Sequence, residues 1–187
     1  MNRILFSLLV LITLTNTSIS KAQTSNIDSN DFFDTAVNNH NQIFPYSGIP
    51  SAIEMVLKDR NAVDQDFYEL QNDWQNKKDG SFRDFDQKKL YGITFIQKFT
   101  EPRDANFPID SLFQTIEEEL KFGRKVIISL QGNMGWSIFV VCKQTADGEF
   151  TSYSKDGSHT LIIRNTKEIV ERSNGTEIMT YRLSTDL

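Results

Sequence analysis

Apolar residues recur with helical spacing in three segments of the middle of the chain. In residues 48–58 they repeat every three or four positions, which predicts a helix with one buried face. A weaker stripe over residues 64–78 predicts a second helix. A third helix is predicted to begin after an N-cap at Asp110 and to end at Gly123. The three stripes are Ile49, Ala52, Ile53, Val56 and Leu57; Phe67, Leu70, Gln71 and Trp74; and Leu112, Phe113, Ile116 and Leu120.

After Gly123 the pattern changes from helical to extended. Four short apolar or alternating runs, separated by turns that contain glycine, predict the strands of an antiparallel sheet. These runs cover residues 126–130, 136–143, 149–153 and 177–183, and residues 167–172 are predicted to form a short helix before the last strand. Helices that precede strands indicate an α+β fold, because a dinucleotide-binding fold would alternate the two.

The N-terminal segment has the pattern of a secretory signal peptide. A basic start at Arg3 is followed by an apolar run over residues 4–14, and small residues at Ser20 and Ala22 precede a cleavage site before Gln23. The run is shorter than the roughly 20 residues that cross a bilayer, which argues against an anchoring helix. We therefore expect a secreted or periplasmic protein without a membrane span after cleavage.

The predicted division of the chain follows from this segment. Residues 1–22 form the signal peptide, residues 23–30 are polar and form a flexible lead-in, and residues 31–187 form a single domain. Cys142 is the only cysteine, so no intramolecular disulfide can form, which for an exported protein suits a bacterial periplasm or exterior.

Composition excludes several functions. The formal net charge of −5 argues against sequence-independent nucleic-acid binding, which needs a positive surface to displace counterions. Two histidines without a cysteine cluster argue against a structural zinc site, and no glycine-rich phosphate loop occurs. We expect no metal and no cofactor, while the oligomeric state stays open.

Gln42 stands five residues before Ser47 and Gly48, which open the first predicted helix. This arrangement resembles the nucleophile region of papain-like cysteine peptidases, especially the bacteriocin-processing type, with Ser47 at the position of the catalytic cysteine. In that family the helix N-terminus lowers the pKa of the thiol, and the glutamine amide donates to the oxyanion. The resemblance implies a papain-like fold in which N-terminal helices pack on a C-terminal antiparallel sheet.

Two later segments extend the resemblance. Gly135 and Trp136 precede Ser137 at the start of a predicted strand, where the family carries its catalytic histidine. Asp156, one hairpin later, matches the residue that orients the imidazole in the family. The resemblance thus implies that the cysteine and histidine positions are both serine, and that Ser137 faces Ser47.

A serine side chain has no basic nitrogen, so Ser137 cannot act as the general base. The resemblance therefore implies an inactive peptidase-like protein that binds a peptide or protein segment through its former cleft. One alternative is an active peptidase or amidase that uses Ser47 with an unidentified histidine, for which His40 and His159 are the candidates. Another is an interaction domain whose cleft is filled and unused. The neighbours of Ser47 distinguish the enzyme from the binding protein.

Overall fold

A computed structural model of the protein describes residues 29–132 and 135–184. The predicted signal peptide and residues 23–28 of the predicted lead-in lie outside the described residues. Helix α1, Ser29–Asn38, begins inside that lead-in. The first two residues of this helix therefore belong to the segment predicted to be a flexible lead-in.

The described residues form a mixed α+β fold with five α-helices and a seven-stranded antiparallel sheet. After α1, the helices are α2 Gly48–Asp59, α3 Glu69–Trp74, α4 Ile109–Lys121 and α5 Thr166–Arg172, and a 3-10 turn spans Phe82–Asp84. The strands are β1 Lys89–Leu90, β2 Ile93–Lys98, β3 Val126–Gly132, β4 Gly135–Gln144, β5 Phe150–Asp156, β6 His159–Ile163 and β7 Ile178–Leu183.

The strand order is β1-β2-β7-β3-β4-β5-β6, and every neighbouring pair is antiparallel. The last strand, β7, therefore lies in the middle of the sheet, between β2 and β3. The prediction of an antiparallel sheet is confirmed, but its strands do not all come from the last third of the chain. Strands β1 and β2 precede α4, and the sequence pattern predicted neither of them, nor the edge strand β6.

Helices cover both faces of the sheet, because alternate strand residues point to opposite sides. On one face, Ile127 and Val140 pack with apolar side chains of α1 and α2. On the other face, Ile128 and Phe139 pack with those of α4 and α5. The arrangement is three layers, rather than one group of N-terminal helices on one face of a sheet.

The helices of the structure can be compared with the predicted ones by their first and last residues. The first predicted helix is confirmed as α2, but burial is not limited to one face, since the polar Ser51, Glu54 and Lys58 are also buried and Ile49 is only partly buried. Gly123 follows α4 with a φ of 71°, a left-handed conformation that suits glycine and ends the helix. Pro108, rather than Asp110, is the N-cap of α4. Helix α3 is much shorter than the predicted segment 64–78.

Candidate functional site

A cleft of about 670 Å³ lies between the loops that flank the helical layer and the neighbouring ends of β4 and β5. Gln42 and Gly48 line its helical side, and Ser137 and Asp156 line its sheet side. The structure thus brings three of the four sequence-predicted site residues, Gln42, Ser137 and Asp156, to one depression. The fourth, Ser47, is fully buried beside it.

The hydroxyl of Ser47 faces α3 rather than the cleft. Its Oγ lies 2.7 Å from Oε1 of Gln71 and 2.9 Å from the carbonyl oxygen of Phe44, and it accepts a hydrogen bond from the Phe44 N–H at 3.3 Å. A hydroxyl that is inaccessible to solvent and hydrogen-bonded to these groups cannot attack a substrate. Ser47 instead ties the loop before α2 to α3.

The N-terminus of α2 packs directly against β4. A methyl group added at Gly48 would lie only 3.2 Å from Cγ1 of Ile138 and 3.7 Å from Oε1 of Gln42. Glycine therefore allows the close approach of helix and strand. Ile138 is the β4 residue that contacts the start of the helix.

The register of β4 differs by one residue from the expected arrangement. Ser137 is opposite Leu130, whose side chain belongs to the core on the α4 and α5 side. Ile138 is opposite Ser129 and packs against the core on the α1 and α2 side. Directly opposed residues share a face of the sheet, so Ser137 lies on the face away from α2. The expectation that Ser137 faces Ser47 is corrected here, because Ile138 takes that position.

Asp156 follows the same alternation at the end of β5. The preceding residue, Lys155, reaches the backbone carbonyl of Asn38 in α1 with its Nζ at 3.5 Å, which places Lys155 on the helical-layer face. Asp156 therefore lies on the opposite face, where it is paired in register with His159. His159 is exposed on the edge strand and is separated by the sheet from the buried Ser47.

Gln42 braces its own loop. Its Nε2 donates hydrogen bonds to the carbonyl oxygens of Phe44 at 2.9 Å and Pro45 at 3.0 Å. Both amide hydrogens are therefore engaged, and neither points to a substrate oxygen in the cleft. The glutamine holds the entrance to α2 instead of forming an oxyanion site.

His40 is fully buried and contacts Ser51, but the pair does not form a catalytic dyad. Its Nδ1 lies 2.9 Å from Nζ of Lys58 and its Nε2 lies 3.1 Å from Oγ of Ser51, so Nδ1 accepts and Nε2 donates. Burial, reinforced by the charge of Lys58, lowers the pKa of His40 to about 3. Glu54 approaches the same Nε2 at 3.6 Å, not the opposite nitrogen as an orienting carboxylate would.

Gln71 is the centre of the same buried network. Its backbone N–H and its Nε2 donate to the two carboxylate oxygens of Glu54 at 3.0 and 2.7 Å, while its Oε1 accepts from Ser47 and from the Ile43 N–H at 2.9 Å. Burial raises the pKa of Glu54 to about 7 and lowers that of Lys58. Sequence reasoning missed this network, although Glu54 and Lys58 stand four residues apart on α2, a spacing that brings helical side chains together.

Cation and aromatic pairs surround the cleft opening. The Arg103 guanidinium lies 3.7 Å from the ring centroid of Trp136, Nζ of Lys77 lies 4.9 Å from that of Trp74, and Nζ of Lys78 lies 5.2 Å from that of Tyr46. All six residues line the cleft. Trp74 ends α3 and is followed closely by Lys77 and Lys78, whereas the other three residues come from separate loops and from the start of β4. The sequence therefore does not show that the three pairs lie around one cleft.

Comparison with protein-family models and with curated proteins finds no match to this chain. Over the residues that the structure describes, no helix combines the length and the apolar character needed to cross a membrane. The functional conclusion therefore depends on the cleft and on the chemistry of the side chains around it.

Proposed function

We propose that this is an exported, catalytically inactive protein of papain-like ancestry that captures a peptide or protein segment in its cleft. The observation that supports it best is the state of Ser47, which is buried and bonded to Gln71 beside an open cleft. The residues that line the described cleft include neither a cysteine nor a histidine. A binding site without a nucleophile or a base fits capture better than turnover.

The positions of the two histidines weigh against the hydrolase alternative. His40 is buried behind α2 with its Nδ1 occupied by Lys58, and His159 lies on the far face of the sheet from Ser47. The open volume of the cleft weighs against the alternative of a filled and unused cleft. Export remains part of the proposal and is supported by the pattern of residues 1–22.

The direct test selects short peptides from a random phage-displayed library on the immobilised protein. We expect a selected synthetic peptide to bind in the cleft, so Trp136→Ala should weaken its binding at least about tenfold, because burial of a large apolar side chain contributes roughly 1.5 to 3 kcal/mol. Isothermal titration calorimetry measures both affinities. Phe122→Ala removes another exposed aromatic side chain, one that does not line the cleft, and is the matched control. Equal losses in the two variants would contradict binding in the cleft.

A second prediction concerns catalysis. The purified protein should hydrolyse neither labelled casein nor p-nitrophenyl acetate above the rate of heat-denatured protein. Ser47→Ala should retain peptide binding and lose about 1 kcal/mol of unfolding free energy, the net contribution of one hydrogen bond. Turnover that disappears in Ser47→Ala, but persists in a comparable variant such as Thr166→Ala, would establish the hydrolase instead. Thr166 is buried, donates to the carbonyl oxygen of Phe150 and does not line the cleft.

A further inference from the structure

The charges around the cleft have the opposite balance to those of the whole chain. The protein carries 20 Lys and Arg against 25 Asp and Glu. The cleft is lined by the three cations Lys77, Lys78 and Arg103, and by the two carboxylates Asp156 and Glu177. An acidic protein thus places its binding cleft in a locally basic and aromatic setting, which favours an anionic ligand.

The contacts of these charges show which of them are available to a ligand. Asp84 pairs with Lys77, so that cation is already partly neutralised. Glu177 accepts a hydrogen bond from Gln97 and lies 3.8 Å from Nη2 of Arg103. Lys78, by contrast, contacts the Tyr46 ring, and among the described residues no carboxylate lies within salt-bridge distance of it. Lys78 is therefore a cation with unused bonding capacity.

The guanidinium of Arg103 does not use all of its hydrogen-bond donors. Its guanidinium lies on the Trp136 ring, which leaves its edge available for hydrogen bonds in the plane of the group. Among the described residues, its Nη1 is a buried side-chain nitrogen without a hydrogen-bond partner. A buried donor without an acceptor destabilises the free protein, so a carboxylate that reaches this edge is favoured. Because Nη1 is buried, we expect the half-exposed Trp136 ring to move when a carboxylate binds there.

From these contacts we infer that the segment bound in the cleft is an acidic peptide, with a carboxylate at Arg103 and Lys78 and an apolar or aromatic side chain against Tyr46 and Trp136. This inference rests on the proposed function and adds the chemical class of the ligand. A peptide is favoured over single-stranded nucleic acid because Asp156 and Glu177 would repel a continuous phosphate backbone. An isolated carboxylate can avoid them.

The two tryptophans of the chain, Trp74 and Trp136, both line the cleft, so their fluorescence reports its occupancy without a label. The probes are three sets of short acetylated and amidated peptides with the same Leu and Phe residues. The sets differ at two positions. The acidic set carries Asp or Glu there, the amide set carries Asn or Gln, and the basic set carries Lys. We expect the acidic set to bind about tenfold more tightly than the amide set, because one charge-assisted hydrogen bond contributes at least that much. Added NaCl should reduce this advantage.

Arg103→Gln should remove most of the preference for acidic peptides, and Lys78→Gln should reduce it independently. Arg172→Gln and Lys121→Gln are the matched controls, since these exposed cations of α5 and α4 do not line the cleft. Thermal unfolding of each variant shows whether it remains folded. If Arg103→Gln does not fold, the loss of preference in Lys78→Gln still decides the question.

The outcomes separate this inference from the proposed function. Equal binding of the acidic, amide and basic sets, with loss on Trp136→Ala, would overturn the acidic ligand and leave cleft binding intact. No binding by any set, together with no peptide selected from the random library, would overturn both. An oligothymidylate that binds more tightly than the acidic peptides and depends on Arg103 would replace the peptide with a nucleic acid. Dimerisation that blocks the fluorescence response would show that a second copy occupies the cleft.

Discussion

Gln71→Leu should lower the free energy of unfolding by about 4 kcal/mol, since each buried polar group left without a partner costs 1 to 3 kcal/mol. Leucine is similar in size to glutamine but provides no side-chain donor or acceptor. The Glu54 carboxylate and the Asn41 carbonyl oxygen would lose their Nε2 donor. The Ile43 N–H would lose its acceptor, and the Ser47 hydroxyl would keep only the Phe44 carbonyl oxygen as an acceptor. Urea denaturation measures the change.

Gln65→Leu is the control for that experiment, because Gln65 is exposed in the loop before α3. We expect it to change stability by less than about 0.5 kcal/mol, as is usual for surface substitutions. A loss below about 1 kcal/mol for Gln71→Leu would mean that the neighbouring polar groups find other partners and that Gln71 is not the centre of the network.

The same network lies directly behind one wall of the cleft. Gln71 joins the loop before α2 to α3 through Ser47, and a few residues later Nε1 of Trp74 donates to the carbonyl oxygen of Tyr46 at 3.0 Å. Trp74 and Tyr46 form part of the cleft wall. Ser47 thus lies behind this wall, and the bond between Trp74 and Tyr46 holds the two aromatic residues together directly.

Some elements of the fold could be predicted because the apolar pattern or the end residue of the segment agrees with its place in the structure. The stripe in α2 is strong, and Gly123 ends α4 by its own backbone preference. Strand β6 could not be predicted, because it lies at the edge of the sheet. Three of its five residues are exposed, and exposed and partly buried positions do not alternate regularly. Strand β2 contains the β-branched and aromatic residues typical of a strand, but the position of its partner β7, roughly 80 to 90 residues later, has no local signal.

The candidate site was less predictable than the fold for two physical reasons. A strand has a side-chain period of two, so an error of one residue moves Ser137 to the opposite face and places Ile138 at the helix start. Burial of charge is the second reason. Gln71 lies on an apolar stripe and Glu54 lies between apolar residues of α2, but periodicity does not show that such groups satisfy one another in the core.

The buried network also contributes to the response of the protein to acid, because the shifted pKa values of His40 and Glu54 act in opposite directions. His40 has a folded-state pKa of about 3 against 6.5 for the free side chain, so the unfolded chain binds more protons between these values and stability is lost as the pH falls. Glu54 has a folded-state pKa of about 7 against 4.5, so the folded chain binds more protons there and stability is lost as the pH rises. Between pH 4.5 and 6.5 the two effects oppose each other.

Below pH 4.5 Glu54 becomes protonated in the unfolded chain as well, so of these two groups His40 contributes most of the remaining pH dependence. His40→Asn removes that titration and keeps an oxygen near the Nδ1 position to accept from Lys58. From pH 4.5 to pH 3 the wild-type protein should therefore lose about 2 kcal/mol more unfolding free energy than the variant, at 1.36 kcal/mol per pH unit. Urea denaturation at a series of pH values measures both profiles. His159→Asn, which removes the exposed imidazole, should keep the wild-type loss. Parallel profiles for the wild-type protein and His40→Asn would show that His40 takes up its proton without unfolding the core.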